Sequence, residues 1–122
     1  MSKDELAIER SIQAAGKTSP RVTPQQIDDC IVSEHYFVAG DGVYGAAHKR
    51  DDHSIQQFPQ ALDLLTFCVI TLRNGFTVTG ESACASPENF DELIGQRIAR
   101  ENARQKIWPL EGYLLRQKLH DM

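Results

Sequence analysis

The alternation of apolar and polar positions is sharpest between Leu64 and Asp91. Leu65, Phe67, Val69 and Thr71 alternate with Thr66, Cys68, Ile70 and Leu72, so both faces of this stretch are largely apolar. Such a run predicts a strand covered on both sides. Asn74-Gly75 follows and predicts a two-residue type I′ turn, because both central positions need positive φ. A second strand starts at Phe76. Phe76 and Val78 share one face, while Thr77, Thr79 and Glu81 make a wet one. The two-residue turn pairs Thr71 with Val78 and Ile70 with Thr79. Gly80 interrupts this strand, as a bulge or as a place where another backbone or a ligand comes close. Ser86-Pro87-Glu88 then predicts a helix start, with a capping hydroxyl, a proline suited to the first turn and a carboxylate at the positive end.

Helical periodicity governs both ends of the chain. Residues Asp4 to Ala15 predict a short helix with Ile8, Ile12 and Ala15 on one side, ended by Gly16 to Pro20. Thr23-Pro24 predicts a second helix, running to about His35 with Ile27, Cys30 and Ile31 on its apolar side. Gly40-Asp41-Gly42 reads as a turn, and residues 43–63 as a long loop with a short helical piece near its end. In the last third, Phe90, Leu93, Ile94 and Ile98 form an apolar stripe, and Gly95, Ala99, Ala103 and Ile107 a second row of mostly small residues. One surface is expected to cover the hairpin and the other to meet a partner subunit. Trp108-Pro109 bends or breaks this helix. Leu110, Tyr113 and Leu114 continue as a short amphipathic C-terminal helix, with Leu115 and Leu119 on another side. The fold class is therefore α+β, an antiparallel hairpin or small sheet packed against N-terminal and C-terminal helices. Residues 1–22 are read as a mobile N-terminal helix and linker, and residues 23–122 as one domain with a variable loop at 42–63.

At 122 residues the chain has room for one domain and no deep private cleft. A net charge of −4 argues against general nucleic-acid binding. No apolar run is long enough to cross a bilayer, and no signal-peptide core precedes the first helix, so a cytosolic protein is expected. Cys30, Cys68 and Cys84 are an odd number without CxxC spacing and fit reduced thiols. Gly16-Lys17-Thr18-Ser19 lacks the upstream glycine and strand of a phosphate-binding loop.

Candidate chemistry is sparse. No Ser-His-Asp order or zinc-type spacing stands out, and an enzyme is not expected. His48, Asp51, Asp52 and His53 crowd the long loop, where a solvated polar segment competes with a metal site. Cys84 precedes the predicted helix start, where a thiolate would be stabilised, against the plainer reading of an inert buried thiol. Asn89 is placed in the first turn of that helix, bonded to free amides or contacting a ligand beside the helix end. Arg97, Arg100 and Arg104 form a line that is either a solvated face with local ion pairs or an anion-binding edge. Trp108 is the single tryptophan, for which core or interface competes with a stacking platform.

Two segments, LRNGFTVTGESACASPENFDELIG and RIARENARQKIWPLEGYLL, resemble the gene-49-like (gene-66-like) family of small tailed-phage proteins. The likeness covers residues 64–115 together with Ile27 to Phe37, and nothing is carried into the loop from Gly42 to Asp63. The sequence is also similar to phage anti-defence sponges that counter the Thoeris immune system. That likeness implies a non-enzymatic homo-oligomer in the host cytoplasm, needing no cofactor, that holds a small anionic cyclic nucleotide such as a cyclic ADP-ribose isomer or a cyclic oligonucleotide. It places ligand contacts at Asn89 and Lys106, with the Ser82 to Cys84 loop as a further one; Arg100 and Arg104 join them as candidate ligand contacts from the arginine line. The alternative is an accessory phage protein acting through protein–protein contacts.

Overall fold

The computed structural model describes residues 2–52 and 58–122. Helix α1 (Lys3–Ala14) is opened by Ser2, whose hydroxyl accepts the Glu5 amide at 3.1 Å, and is ended by Gly16 at φ +70°. It buries no residue. Helix α2 (Pro24–Asp29) starts as expected, with Thr23 accepting the Gln26 amide at 3.1 Å and Pro24 in the first turn.

The helix predicted to reach His35 stops at Asp29, and Ile31–Val38 is instead a strand, β1. The run IVSEHYFV is rich in β-branched and aromatic residues, and that preference outweighs the three helical contacts of Ile27, Cys30 and Ile31. The predicted Gly40-Asp41-Gly42 turn is also overturned, because helix α3 (Ala39–Lys49) runs straight through it. Gly40 is a packing choice, since a side chain there would collide with Asp63 and meet Phe58 at 2.6 Å, whereas one on Gly42 would make only an ordinary contact with Phe37 at 3.5 Å. The loop expected over 43–63 is thus helical to Lys49. It ends in a 3₁₀ turn, Gln60–Leu64, the short helical piece that was expected. His53 lies outside the described residues.

Strands β2 (Leu65–Leu72) and β3 (Thr77–Ala83) complete a three-stranded antiparallel sheet, ordered β1-β2-β3. The α+β class holds, with helices at both ends of the sequence. The hairpin turn differs from expectation. Ile70 pairs with Val78 and Thr71 with Thr77, one residue out of the predicted register. Only Gly75 takes positive φ, at +90°, and the Leu72 amide donates to the Phe76 carbonyl at 2.8 Å. The loop is therefore three residues, Arg73 to Gly75, of the kind that ends on a left-handed glycine. Asn74 keeps negative φ and uses its side-chain oxygen to accept the Phe76 amide at 3.0 Å.

Thr66, Cys68, Ile70 and Leu72 point to one face, beside Ser82, Gly80 and Val78 of β3. Helix α4 (Glu92–Gln105) lies on this face. Gly80 is a close-approach site, not a bulge, since the β2–β3 register runs through it unbroken. A methyl group there would collide with the Ala99 carbonyl and the Ala103 amide, and would sit 2.9 Å from the Ala103 Cα. Gly95, Ala99 and Ala103 are the buried residues of α4 that let its backbone down onto the sheet. Asn102 pins the helix sideways, donating to the Glu81 carbonyl at 2.8 Å. Lys106 separates α4 from α5 (Ile107–His120), so the break falls two residues before Trp108 and Pro109 sits inside the first turn of α5. The core gathers Ile27, Cys30, Cys68, Ile70, Leu72, Val78, Ala99, Ala103 and Ile107. The opposite face of β2 is only partly covered, with Phe37 and Phe67 in ring contact at 5.7 Å near α3.

Candidate functional site

The most secure helix start in the sequence is displaced. Pro87–Asn89 forms one 3₁₀ turn, and α4 begins three residues later with Asp91 as its cap, accepting the Ile94 amide at 3.0 Å. Ser86 caps nothing; its hydroxyl donates to Glu88 Oε2 at 2.7 Å, which holds the Glu88 carboxyl below its usual range. Asn89 is consequently outside α4, exposed at the end of the 3₁₀ turn. The helix end is already served by the Asp91 carboxylate, with Glu92 in the first turn, so it offers no vacant anion seat.

The turn nonetheless closes a groove. Thr66 and Ser82 are cross-strand neighbours on the buried face, where the sheet emerges from under α4. Cys84 is tied back by its amide to the Leu64 carbonyl at 3.0 Å, and its thiol donates to the Ser86 carbonyl at 3.1 Å. Asn89, Phe90 and Asp91 form the far wall, and Ile94, Gly95 and Ile98 the helix side. The enclosed volume is about 140 Å³. Ser82, Cys84 and Asn89 therefore line one groove.

Sequence reasoning missed a fourth member, Thr66. Its hydroxyl is buried and hydrogen-bonds to nothing among the described residues. Gly95 lies directly over it; a Cβ there would stand 2.9 Å from Thr66 Oγ1. A buried hydroxyl left without a partner costs about 1–3 kcal/mol. The signal was available, since Thr66 is the one hydroxyl on an inward face otherwise made of Cys68, Ile70 and Leu72.

The cationic candidates lie elsewhere. Arg104 is completely buried and donates to Asp28 Oδ1 at 2.8 Å, to the Pro24 carbonyl at 3.2 Å and to Glu5 Oε1. Trp108 Nε1 donates to the same Glu5 oxygen at 3.4 Å, so the tryptophan is part of the α1 attachment. Arg100 donates to Glu34 Oε1 at 3.0 Å, and the Tyr36 hydroxyl donates to Glu34 Oε2 at 2.8 Å. Burial, the largest cause, and Glu34 beside it push the Tyr36 phenol well above its ordinary value. Of the two readings of the arginine line, the local ion pair describes Arg100 and Arg104. Lys106 is exposed at the far end of α4, and a 14-residue helix is about 21 Å long, so one compact ligand cannot touch Asn89 and Lys106 of the same chain. His48 stacks on Tyr44, and no group of three His, Cys, Asp or Glu able to hold a metal occurs among the described residues. Cys30, Cys68 and Cys84 are free thiols; desolvation raises the first two above their usual range.

Sheet, helix and groove together define a small α+β domain with one covered sheet face and a polar notch at the covered edge. The chain belongs to the phage protein (N4 Gp49/phage Sf6 gene 66) family, whose sequence model matches residues 22–119. The match takes in everything from the end of the first linker to the last turn of α5 and leaves out α1. No curated protein and no solved structure matches. No helix among the described residues is long and apolar enough to cross a membrane.

Proposed function

We propose that this phage protein is a non-enzymatic binding protein that sequesters an anionic cyclic-nucleotide signal, a cyclic ADP-ribose isomer or a cyclic oligonucleotide. The likeness to Thoeris sponges supplies the ligand class. The observation that carries the location is the unpartnered Thr66 hydroxyl, buried in a groove that also gathers Ser82, Cys84 and Asn89. A ligand hydroxyl or base edge would complete its hydrogen bonding.

The groove holds about 140 Å³, below the 300–1,000 Å³ typical of small-molecule sites, so it receives one part of the ligand. It contains no cation, and Asp91 lines it. The positive charge for a phosphate comes, in this reading, from a second copy. Two chains paired about a twofold axis across Leu93, Ile94 and Ile98 run their α4 helices antiparallel. The Lys106 end of each then reaches the groove end of the other. All three apolar residues are exposed in the single chain.

The test mixes purified protein with cyclic ADP-ribose isomers and cyclic dinucleotides, removes the protein by filtration and measures free ligand. Depletion with intact ligand recovered on heating supports sequestration; no depletion of any cyclic nucleotide sinks it. Thr66→Val and Lys106→Ala each abolish depletion while the protein stays folded. The second reading is an accessory protein that docks a protein partner, favoured by the same exposed stripe on α4. Recovery of a stoichiometric protein partner from infected cells, with no ligand depletion, selects it.

A further inference from the structure

A separate cavity of about 240 Å³ lies between the hairpin tip and α5, away from the groove under α4. Leu72, Phe76, Leu110, Tyr113 and Leu114 wall it, and Glu111 lies among them. Phe76, Tyr113 and Leu114 are all more than half exposed, so the apolar wall opens outward. Glu111 is more than nine-tenths buried. Ion pairs among the described residues include Arg21 with Glu9, Arg100 with Glu34, Arg104 with Glu5 and Asp28, and His120 with Asp121. Glu111 is in none of them. Its near neighbour is the Cys30 thiol, which cannot neutralise it, and Arg73 stands exposed at the rim without closing on it.

Glu111 thus lines the leucine wall with the Cys30 thiol hydrogen-bonded to it and no ion pair of its own. Two independent features therefore coincide: an open apolar cavity flanked by two aromatic rings, and a buried acid without an ion-pair partner lining it. An aliphatic stem suits the leucine walls, a cation suits Glu111, and Phe76 and Tyr113 add cation–π attraction at the mouth. The volume lies below the range for small-molecule sites and matches a single long side chain. A pocket of this size rimmed by exposed aromatics is how protein partners anchor one residue.

We infer that the cavity between the hairpin tip and α5 receives a basic side chain, arginine or lysine, presented by a partner polypeptide, with Glu111 as its counter-ion.

The test titrates the full chain with capped tripeptides Gly-Arg-Gly, Gly-norleucine-Gly and Gly-Glu-Gly and follows backbone amide shifts of residues 72–76 and 110–114 by NMR. The arginine peptide is expected to saturate these shifts, with norleucine, which keeps the stem and lacks the charge, at least tenfold weaker and glutamate not binding. In Glu111→Gln, which preserves shape, the arginine advantage over norleucine disappears. Tyr113→Ala, at an exposed position, weakens arginine binding severalfold without unfolding the chain. Norleucine matching arginine would show a plain apolar hollow and overturn the assignment. Unchanged arginine affinity in Glu111→Gln would overturn it as well.

Discussion

Helix α4 carries two rows of non-polar residues, and the bulkier row is the one left in water. Leu93, Ile94 and Ile98 are 74%, 54% and 46% exposed, whereas Ala99 and Ala103 on the other row are 0% exposed. Side-chain volume alone would assign the faces the other way. The small row is chosen because Gly80 opens a notch in β3 into which the helix backbone descends. Once backbone meets backbone, the close contacts come from main-chain atoms, and a large side chain on that row would lift the helix off the sheet.

The largest effect is expected where that notch is filled. Gly80→Ala places a methyl group against main-chain atoms of α4 that cannot step aside individually. It should cost about 3 kcal/mol or more, at the upper end of overpacking, read as a lower urea midpoint. Gly112→Ala is the control. Nothing lies within 4 Å of its added Cβ in the middle of α5, so the same change should stabilise by about 0.5–1 kcal/mol. Two losses of equal size would mean that α4 is not seated as described.

Next in size is the anchor at the far end of the small row. Arg104→Met removes the buried guanidinium that holds Asp28 of α2 and Glu5 of α1 together. Because Glu5 and Asp28 keep some exposure, 11% and 26%, the cost should fall to about 2–3 kcal/mol, below the full loss for a sealed pair. Arg104→Lys should not restore it, since one ammonium cannot reach three acceptors that lie in different directions.

Helix α1 extends the contrast, because it buries no residue and is held by polar contacts. Arg21 donates to Glu9 at 2.7 Å and, with Gln13, lowers the Glu9 carboxyl from 4.5 to about 2. A folded-state value below the unfolded one means that this contact stabilises fully above pH 4.5 and is lost as the pH falls toward 2. Amide hydrogen exchange over residues 3–14 should therefore quicken as pH drops through that window, beyond the intrinsic trend. In Arg21→Gln the extra acceleration should be absent. The core around Ile107 should show no such step.

Thr66→Val is expected to be close to neutral. Replacing a buried hydroxyl that has no partner by a methyl of the same shape should leave stability unchanged or raise it by about 1 kcal/mol. Retention of a cyclic nucleotide should disappear in the same protein. A clear loss of stability would mean that the hydroxyl is satisfied within the chain, and the groove would lose its claim.

How much of this was legible in the sequence follows from the range over which each signal acts. The two hairpin strands, the Thr23 cap and the start of α1 were readable because their causes lie within a few residues. The β1 strand was hidden because Ile27, Cys30 and Ile31 imitate a helical stripe, although Tyr36-Phe37-Val38 argued for a strand. Glycines misled twice, in α3 and at the hairpin, since Gly40 answers to Phe58 and the turn length to pairing across β2 and β3. Of the candidate site, Ser82, Cys84 and Asn89 came from the family resemblance. Thr66 did not, because its lack of a partner is set by Gly95, 29 positions further along the chain.

The smallest expected effect tests the exposed row itself. Leu93→Gln and Ile98→Gln should each change the stability of the single chain by no more than about 0.5 kcal/mol, because those side chains already face solvent. Ile107→Ala, at the buried end of the small row, should cost about 2–5 kcal/mol by comparison. Mass read by sedimentation separates the two faces further. If two copies pair across Leu93, Ile94 and Ile98, the double Gln variant shifts the protein toward single chains and lowers cyclic-nucleotide retention while its urea midpoint at low concentration stays put. A protein that sediments as one chain with or without these substitutions, and still depletes ligand, would leave Lys106 unable to reach the groove. The site would then be complete within one subunit.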